Sequence, residues 1–220
     1  MPPTGESGDV EAVARRLAVA RETMSAAGDA AGQVTVVAVT KGFGPWAVAA
    51  AEAVGLGDIG ENYADDLIAR SEVSPGLRRH FIGRLQSNKV RPLAGSVDVW
   101  QSVDRLKLVE RIARYDPGAT VMVQVDISAE ASKGGCAPAE TGSLVGAARD
   151  AGLDVIGLMG VAAVAADGTV ARQFATLRSL VDDLDLQHCS MGMSGDLALA
   201  VEQGTTMVRL GTALFGPRPR

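Results

Sequence analysis

The sequence predicts an α/β fold: a single (β/α)8 barrel of the TIM type with an extra amino-terminal helix. Eight short apolar runs rich in β-branched residues recur between residues 34 and 210, and each but the last is clearly followed by a stretch with helical spacing. The 220 residues, 47% of them hydrophobic, suffice for one sizeable core and fall at the small end of the barrel's range. No G-x-G-x-x-G follows the first run, and an open sheet of eight strands is unusual at this length, so the competing doubly wound sheet is less favoured.

The elements follow in order. Val10 to Ala27 carries Val13, Leu17 and Met24 at helical spacing and stops at Gly28, a leading helix outside the repeat. Val34 to Val39 is the strongest strand, followed by a helix over Pro45 to Val54; Asp58 to Glu61 is the second, with a helix over Ala64 to Ser71. His80 and Ile82 mark the third strand, and a helix over Gln86 to Leu93 precedes the fourth, Val97 to Trp100. Asp104 is placed to cap a helix carrying Leu106, Leu108, Val109 and Ile112. Val121 to Val125, Val155 to Met159 and His188 to Ser190 are strands five to seven, separated by helices over Pro138 to Ala151 and Val170 to Leu184. Ser194 is placed to cap a helix reaching Gln203, and Met207 to Leu210 is the eighth strand. Residues 10–220 are therefore expected to form one domain behind a flexible polar stretch, residues 1–9.

Composition narrows the function. The net charge of -5 argues against a nucleic-acid surface. No apolar stretch reaches the roughly 18 residues of a membrane span. The segment Met1 to Asp9 lacks a basic start and an apolar signal core, so a soluble cytoplasmic chain is expected. Cys136 and Cys189 form no CxxC pair and no Cys/His cluster, which leaves no disulfide framework and no zinc spacing. Lys41, Lys89, Lys107 and Lys133 are the only lysines among 21 cationic residues, which confines any lysine chemistry to four places.

In a barrel, chemistry collects at the carboxyl ends of the strands. Those ends carry Lys41 after the first strand, Glu61 and Asn62 after the second, Ser194 before the seventh helix, and Arg209, Gly211 and Thr212 at the eighth. The run Val36 to Thr40 leads an apolar strand into the Lys41 ammonium, where desolvation would lower its pKa and suit it to a Schiff base with an aldehyde. A lysine that snorkels to solvent is the ordinary alternative. Gly211 lets an anion approach the backbone, and the Thr212 hydroxyl adds a donor in the loop that often holds phosphate. Ser194 suits phosphate or is a plain helix cap, Thr212 is a donor or a turn residue, and Arg209 is a site cation or a surface charge. Closure of the barrel sets strand eight beside strand one, so Lys41 and the Gly211–Thr212 loop can grip two ends of one small ligand. An aldehyde-bearing phosphate fits such a grip, and pyridoxal 5′-phosphate is the economical candidate. Arg209 would then be the partner of its ring nitrogen, weakening the cofactor as an electron sink.

Six blocks carry a family resemblance: Val39 to Lys41, Gly60 to Tyr63, His80 to Lys89, Gly157 to Met159, Met191 to Asp196 and Met207 to Thr212. Together and in this order they resemble the YggS/PROSC family of pyridoxal phosphate homeostasis proteins. The resemblance implies a barrel similar to the amino-terminal domain of alanine racemase, with Lys41 as the Schiff-base lysine and Arg209 near the pyridine nitrogen. It further implies Ser194, Gly211 and Thr212 around the phosphate and Asn62 lining the pocket. Gly160 to Ala165 departs from the family, which has a proline-containing loop there.

Two functions of different class compete on these residues. A racemase-type enzyme needs a second acid or base facing the lysine, and in alanine racemase that is a tyrosine from a further domain. The present chain stops at Arg220 and holds only Tyr63 and Tyr115, so a cofactor carrier without turnover is expected, acting as a monomer in vitamin B6 homeostasis with apo-enzymes as its partners. Aldolase-type chemistry of Lys41 on a sugar phosphate is the third alternative. His80 is expected to be structural, Lys133 a solvated loop lysine, and Cys136 exposed beside Gly135.

Overall fold

A computed structural model describes residues 10–71 and 75–218. The expected flexible stretch 1–9 and the last two residues of the expected domain lie outside the described residues. Eight parallel strands close into a barrel in sequential order, with β8 paired to β1. They are β1 (Thr35–Val39), β2 (Asp58–Glu61), β3 (Arg78–Phe81), β4 (Val99–Val103), β5 (Thr120–Val125), β6 (Asp154–Gly160), β7 (His188–Ser190) and β8 (Met207–Leu210). Around them run α1 (Val10–Ala26), α2 (Trp46–Ala53), α3 (Ala64–Ser71), α4 (Val90–Leu93), α5 (Leu106–Tyr115), α6 (Thr141–Asp150), α7 (Asp167–Asp183), α8 (Leu197–Glu202) and α9 (Thr212–Phe215).

Alternation along the strands divides the core. Val37, Val99, Met122, Met159 and Met207 cluster inside the barrel, while the opposite strand faces pack outward against the helices. The leading helix completes this outer layer. α8 and α9 are too short to cover β8 and β1, with six and four residues, and α1 lies across them with Val13, Leu17, Ala20 and Met24 buried. Burying its larger apolar side chains stabilises by about 1.5–3 kcal/mol each before the entropy of ordering the helix is counted.

Several boundaries differ from expectation. β4 starts two residues later than expected and extends to Val103, because the polar pair Gln101 and Ser102 continues the strand as fully buried residues. β3 runs from Arg78 to Phe81, so it holds His80 but ends before Ile82, and α4 is a single turn after a loop that occupies residues 86–89. Asp104 does not cap α5: Arg105 holds that position, and the Asp104 carboxylate instead takes the Arg105 guanidinium. Pro138–Glu140 forms a 3₁₀ turn before α6, α7 starts three residues early at Asp167, and α9 adds a helix after β8 that the sequence pattern did not show.

Candidate functional site

The end of β1 is clamped. The Thr40 N–H donates to the Gly60 carbonyl at 3.2 Å, which extends the ladder by one residue, and the chain then turns through Gly42 at φ +73°, a conformation that glycine adopts without strain. Arg70 reaches in from α3, donating to the carbonyls of Thr40 at 3.0 Å and Phe43 at 2.8 Å, and pairs with buried Glu61 at 2.7 Å. The Thr40 hydroxyl donates to the same carboxylate. Lys41 sits on this fixed loop, half-buried. Burial lowers its pKa below that of an ordinary lysine; Arg218 and Arg209 act in the same direction, while Glu61 opposes them. For Glu61 itself, burial outweighs the Thr40 hydroxyl and the Arg70 cation and raises its pKa.

Across the seam, the loops after β7 and β8 meet. Ser194 Oγ and Thr212 Oγ1 lie 3.5 Å apart, and Ser194 Oγ accepts the Ala213 N–H at 3.2 Å. Ser194 therefore does not cap α8, whose cap position belongs to Asp196; its hydroxyl is turned to the start of α9. The backbone N–H groups of Ser194, Gly195, Gly211 and Thr212 have no acceptor among the described residues. Two hydroxyls and four free N–H groups make a donor set for an oxygen-rich anion.

Arg209 is not a surface charge. It is 5% exposed, donating through Nη1 to the carbonyl and the hydroxyl of Ser190 at 2.8 and 2.7 Å and through Nη2 to the Gly160 carbonyl at 2.7 Å. Burial lowers its pKa to about 10, and it keeps its charge at neutral pH. Asn62 follows β2, and its buried Oδ1 has no partner among the described residues. Its backbone packs so closely on Gly83 that a Cβ there would fall 2.1 Å from the Asn62 carbonyl oxygen.

One open cavity of about 470 Å³ gathers all six expected binding residues: Lys41, Asn62, Ser194, Arg209, Gly211 and Thr212. Val39, Ile82 and Val161 supply apolar wall, and Arg84, Lys133 and Arg218 add positive charge. Lys133 is more engaged than a solvated loop lysine, donating to Glu130 at 2.7 Å and to the Ala162 carbonyl at 2.8 Å. That second bond ties the 3₁₀ turn Ala131–Lys133 to the departing Gly160 to Ala165 loop, whose Ala163 N–H also donates to Gln173 at 2.8 Å. Glu61 stands behind the cavity rather than in it, and Tyr63 is 65% exposed outside the lining. Cys136 is buried, not exposed, and burial raises its thiol pKa. Nothing in the sequence marks Arg70, which lies in a charged helix, or Gln101 and Ser190, because polar residues inside a barrel carry no periodic signal.

A closed parallel barrel with an amine after its first strand and a group of unengaged N–H and hydroxyl donors after its last defines a class. The family model described as "Alanine racemase, N-terminal domain" matches residues 9–219. Within that class, the chain is 41% identical over 218 residues to the "Pyridoxal phosphate homeostasis protein" of Pseudomonas aeruginosa, with 94% of this chain and 95% of the relative covered. Identity to the protein of the same name from Escherichia coli is 36% over 228 residues, covering 94% and 97%. PipY of Synechococcus elongatus, solved with PLP bound, superposes with a TM-score of 0.82 at 30% identity, covering 93% of this chain and all of that one. The chain belongs to the family of pyridoxal phosphate homeostasis proteins. No helix among the described residues is long and apolar enough to cross a membrane.

Proposed function

We propose that this protein binds pyridoxal 5′-phosphate through Lys41 and holds it for intracellular vitamin B6 homeostasis without turning over a substrate. The observation that carries this reading is the convergence of Lys41, Asn62, Ser194, Arg209, Gly211 and Thr212 on one cavity where β8 closes on β1. The names of the relatives and the PLP held by PipY support the choice of ligand.

The donor set fits the group. Ser194, Thr212 and the free N–H groups of Ser194, Gly195, Gly211 and Thr212 match a phosphate, and the unpartnered Asn62 Oδ1 stands ready for a hydroxyl donor. When bound, pyridoxal phosphate supplies an aldehyde that an amine can capture and a ring that draws electrons. Lys41 is the capturing amine, and its lowered pKa raises the neutral, nucleophilic fraction. Arg209 would be the partner of the ring nitrogen: three of its five N–H donors are occupied, which leaves two, and a charged arginine there would keep that nitrogen unprotonated.

Absence of turnover is supported by where the other candidate acids sit. Tyr63 lies outside the cavity lining, and Tyr115 ends α5 among Arg91, Arg111 and Arg114. The open mouth suits exchange of the cofactor with apo-enzymes that need it, and we read the protein as a cytoplasmic monomer with residues 10–220 as one domain. The test is an absorbance spectrum before and after borohydride, with mass mapping of the reduced adduct. A visible band that borohydride bleaches and a label on Lys41 are expected. A colourless protein that refuses added pyridoxal phosphate overturns the binding reading, and interconversion of L- and D-alanine by the loaded protein overturns the reading without turnover.

A further inference from the structure

Beneath the cavity, five side chains from five strands are joined end to end through the barrel. Arg209 on β8 donates to Ser190 Oγ on β7 at 2.7 Å, and the Ser190 hydroxyl donates to Gln101 Oε1 on β4 at 2.8 Å. Gln101 Nε2 meets His80 Nδ1 on β3 at 2.7 Å, and His80 Nε2 meets Asp58 Oδ1 on β2 at 2.8 Å. His80, Gln101 and Ser190 are fully buried. Asp58 ends the chain at the opposite mouth of the barrel, 3.8 Å from Arg78, where it lines a depression of about 400 Å³ with Arg21 and Asp29.

Chemistry gives the chain one direction. A guanidinium only donates and a carboxylate only accepts. Ser190 receives from Arg209 and gives its own proton to Gln101; the Gln101 amide nitrogen then faces His80, so Nδ1 accepts and the imidazole proton rests on Nε2, pointing to Asp58. The same orientation sets Gln101 Nε2 3.1 Å from Met207 Sδ, where a carbonyl oxygen would meet the sulfur lone pairs. Hydrogen bonds aligned in this way polarise one another, and each becomes stronger in a low-dielectric interior.

Arg209 needs such support. It is a buried cation, and among the described residues no carboxylate lies within ion-pair distance of it. We propose that Asp58, His80, Gln101 and Ser190 are positioning residues for Arg209: their one-way chain fixes the guanidinium at the cavity floor and turns the negative ends of its aligned dipoles toward it. A carboxylate placed beside Arg209 would occupy the remaining donors, whereas the chain leaves them for the ligand. The inference rests on the reading of Arg209 as the partner of the ring nitrogen.

Two measurements test it. The sequence has two histidines, so the cofactor-free protein carrying His188→Gln and labelled with ¹⁵N-histidine reports His80 alone. A neutral imidazole protonated on Nε2 is expected, and a doubly protonated ring or a proton on Nδ1 overturns the chain. In protein loaded with pyridoxal phosphate, Asp58→Ala is expected to shift the visible band and to weaken affinity roughly fivefold, the worth of one hydrogen bond. Asp58→Asn, whose amide oxygen still accepts from Nε2, is expected to restore the His80 proton position. An unchanged band and affinity in Asp58→Ala overturn the proposal, since a purely structural Asp58 would alter stability alone. If wild-type protein takes up no cofactor, the binding reading fails by itself, and the imidazole spectrum still decides the chain.

Discussion

Ser194 Oγ lies 3.5 Å from Thr212 Oγ1, bringing together two hydroxyls that stand 18 positions apart in the sequence. The contact joins the loop after β7 to the loop after β8, and it exists because Ser194 turns away from the nearer helix α8 to accept from Ala213. Two hydroxyls at that spacing fit the proposed phosphate seat.

Replacing Thr212 by Val keeps the shape of the side chain and removes one of those donors. Affinity for pyridoxal phosphate is expected to fall roughly tenfold, about 1.4 kcal/mol for a charge-assisted hydrogen bond. Fluorescence titration of the apo-protein measures it, and an unchanged dissociation constant removes Thr212 from the phosphate seat.

Lys41→Ala is expected to abolish the borohydride-fixable adduct while the barrel stays folded. In the cofactor-free protein, the folded pKa of Lys41 lies below the unfolded value, so the unfolded chain binds more protons between the two. The contribution of Lys41 to stability is therefore unfavourable at neutral pH and improves as pH rises toward 10.5. Lys41→Met is expected to stabilise at about pH 7, with the gain fading near pH 10; urea denaturation at both values would reject this if the gain were constant.

Arg70 carries the loop of Lys41 without entering the cavity. Its loss leaves Glu61, 1% exposed, without a cation, so Arg70→Leu is expected to destabilise the fold by about 3 kcal/mol. Glu61→Gln, which leaves no buried charge behind on the carboxyl side, should cost less. Equal midpoints for wild type and Arg70→Leu in urea would show that the clamp does not hold.

Both thiols are expected to be inert in the native state. Burial pushes Cys189 up to about 12 and also raises Cys136, so neither forms thiolate near neutral pH. Iodoacetamide at about pH 8 should label them only after unfolding. Rapid native labelling of Cys189 would contradict its burial.

Strand periodicity and loop chemistry are local, and so they were legible. The apolar runs that became β1, β5 and β8, the placement of Lys41 after a strand, and the Gly211–Thr212 turn all follow from neighbours in the chain. Even the meeting of Lys41 with that turn follows from closure, once eight alternating units are counted. The limits appear where a residue's environment is set by distant chain. Gln101 and Ser102 look like the end of a strand in sequence, yet they continue β4 because the barrel interior gives Gln101 a partner 89 positions away in Ser190. Arg70 and Asp58 look like ordinary surface charges on a helix and a strand, and only the packing of α3 onto β2 and the closure of the barrel turn them inward. The sequence by itself determined the barrel, the lysine after its first strand and the Gly211–Thr212 turn after its last, since these depend on backbone period and on residue type at strand ends. The tertiary structure decided which polar side chains pair inside, because burial makes each unpaired donor or charge costly and the available partners come from every part of the chain.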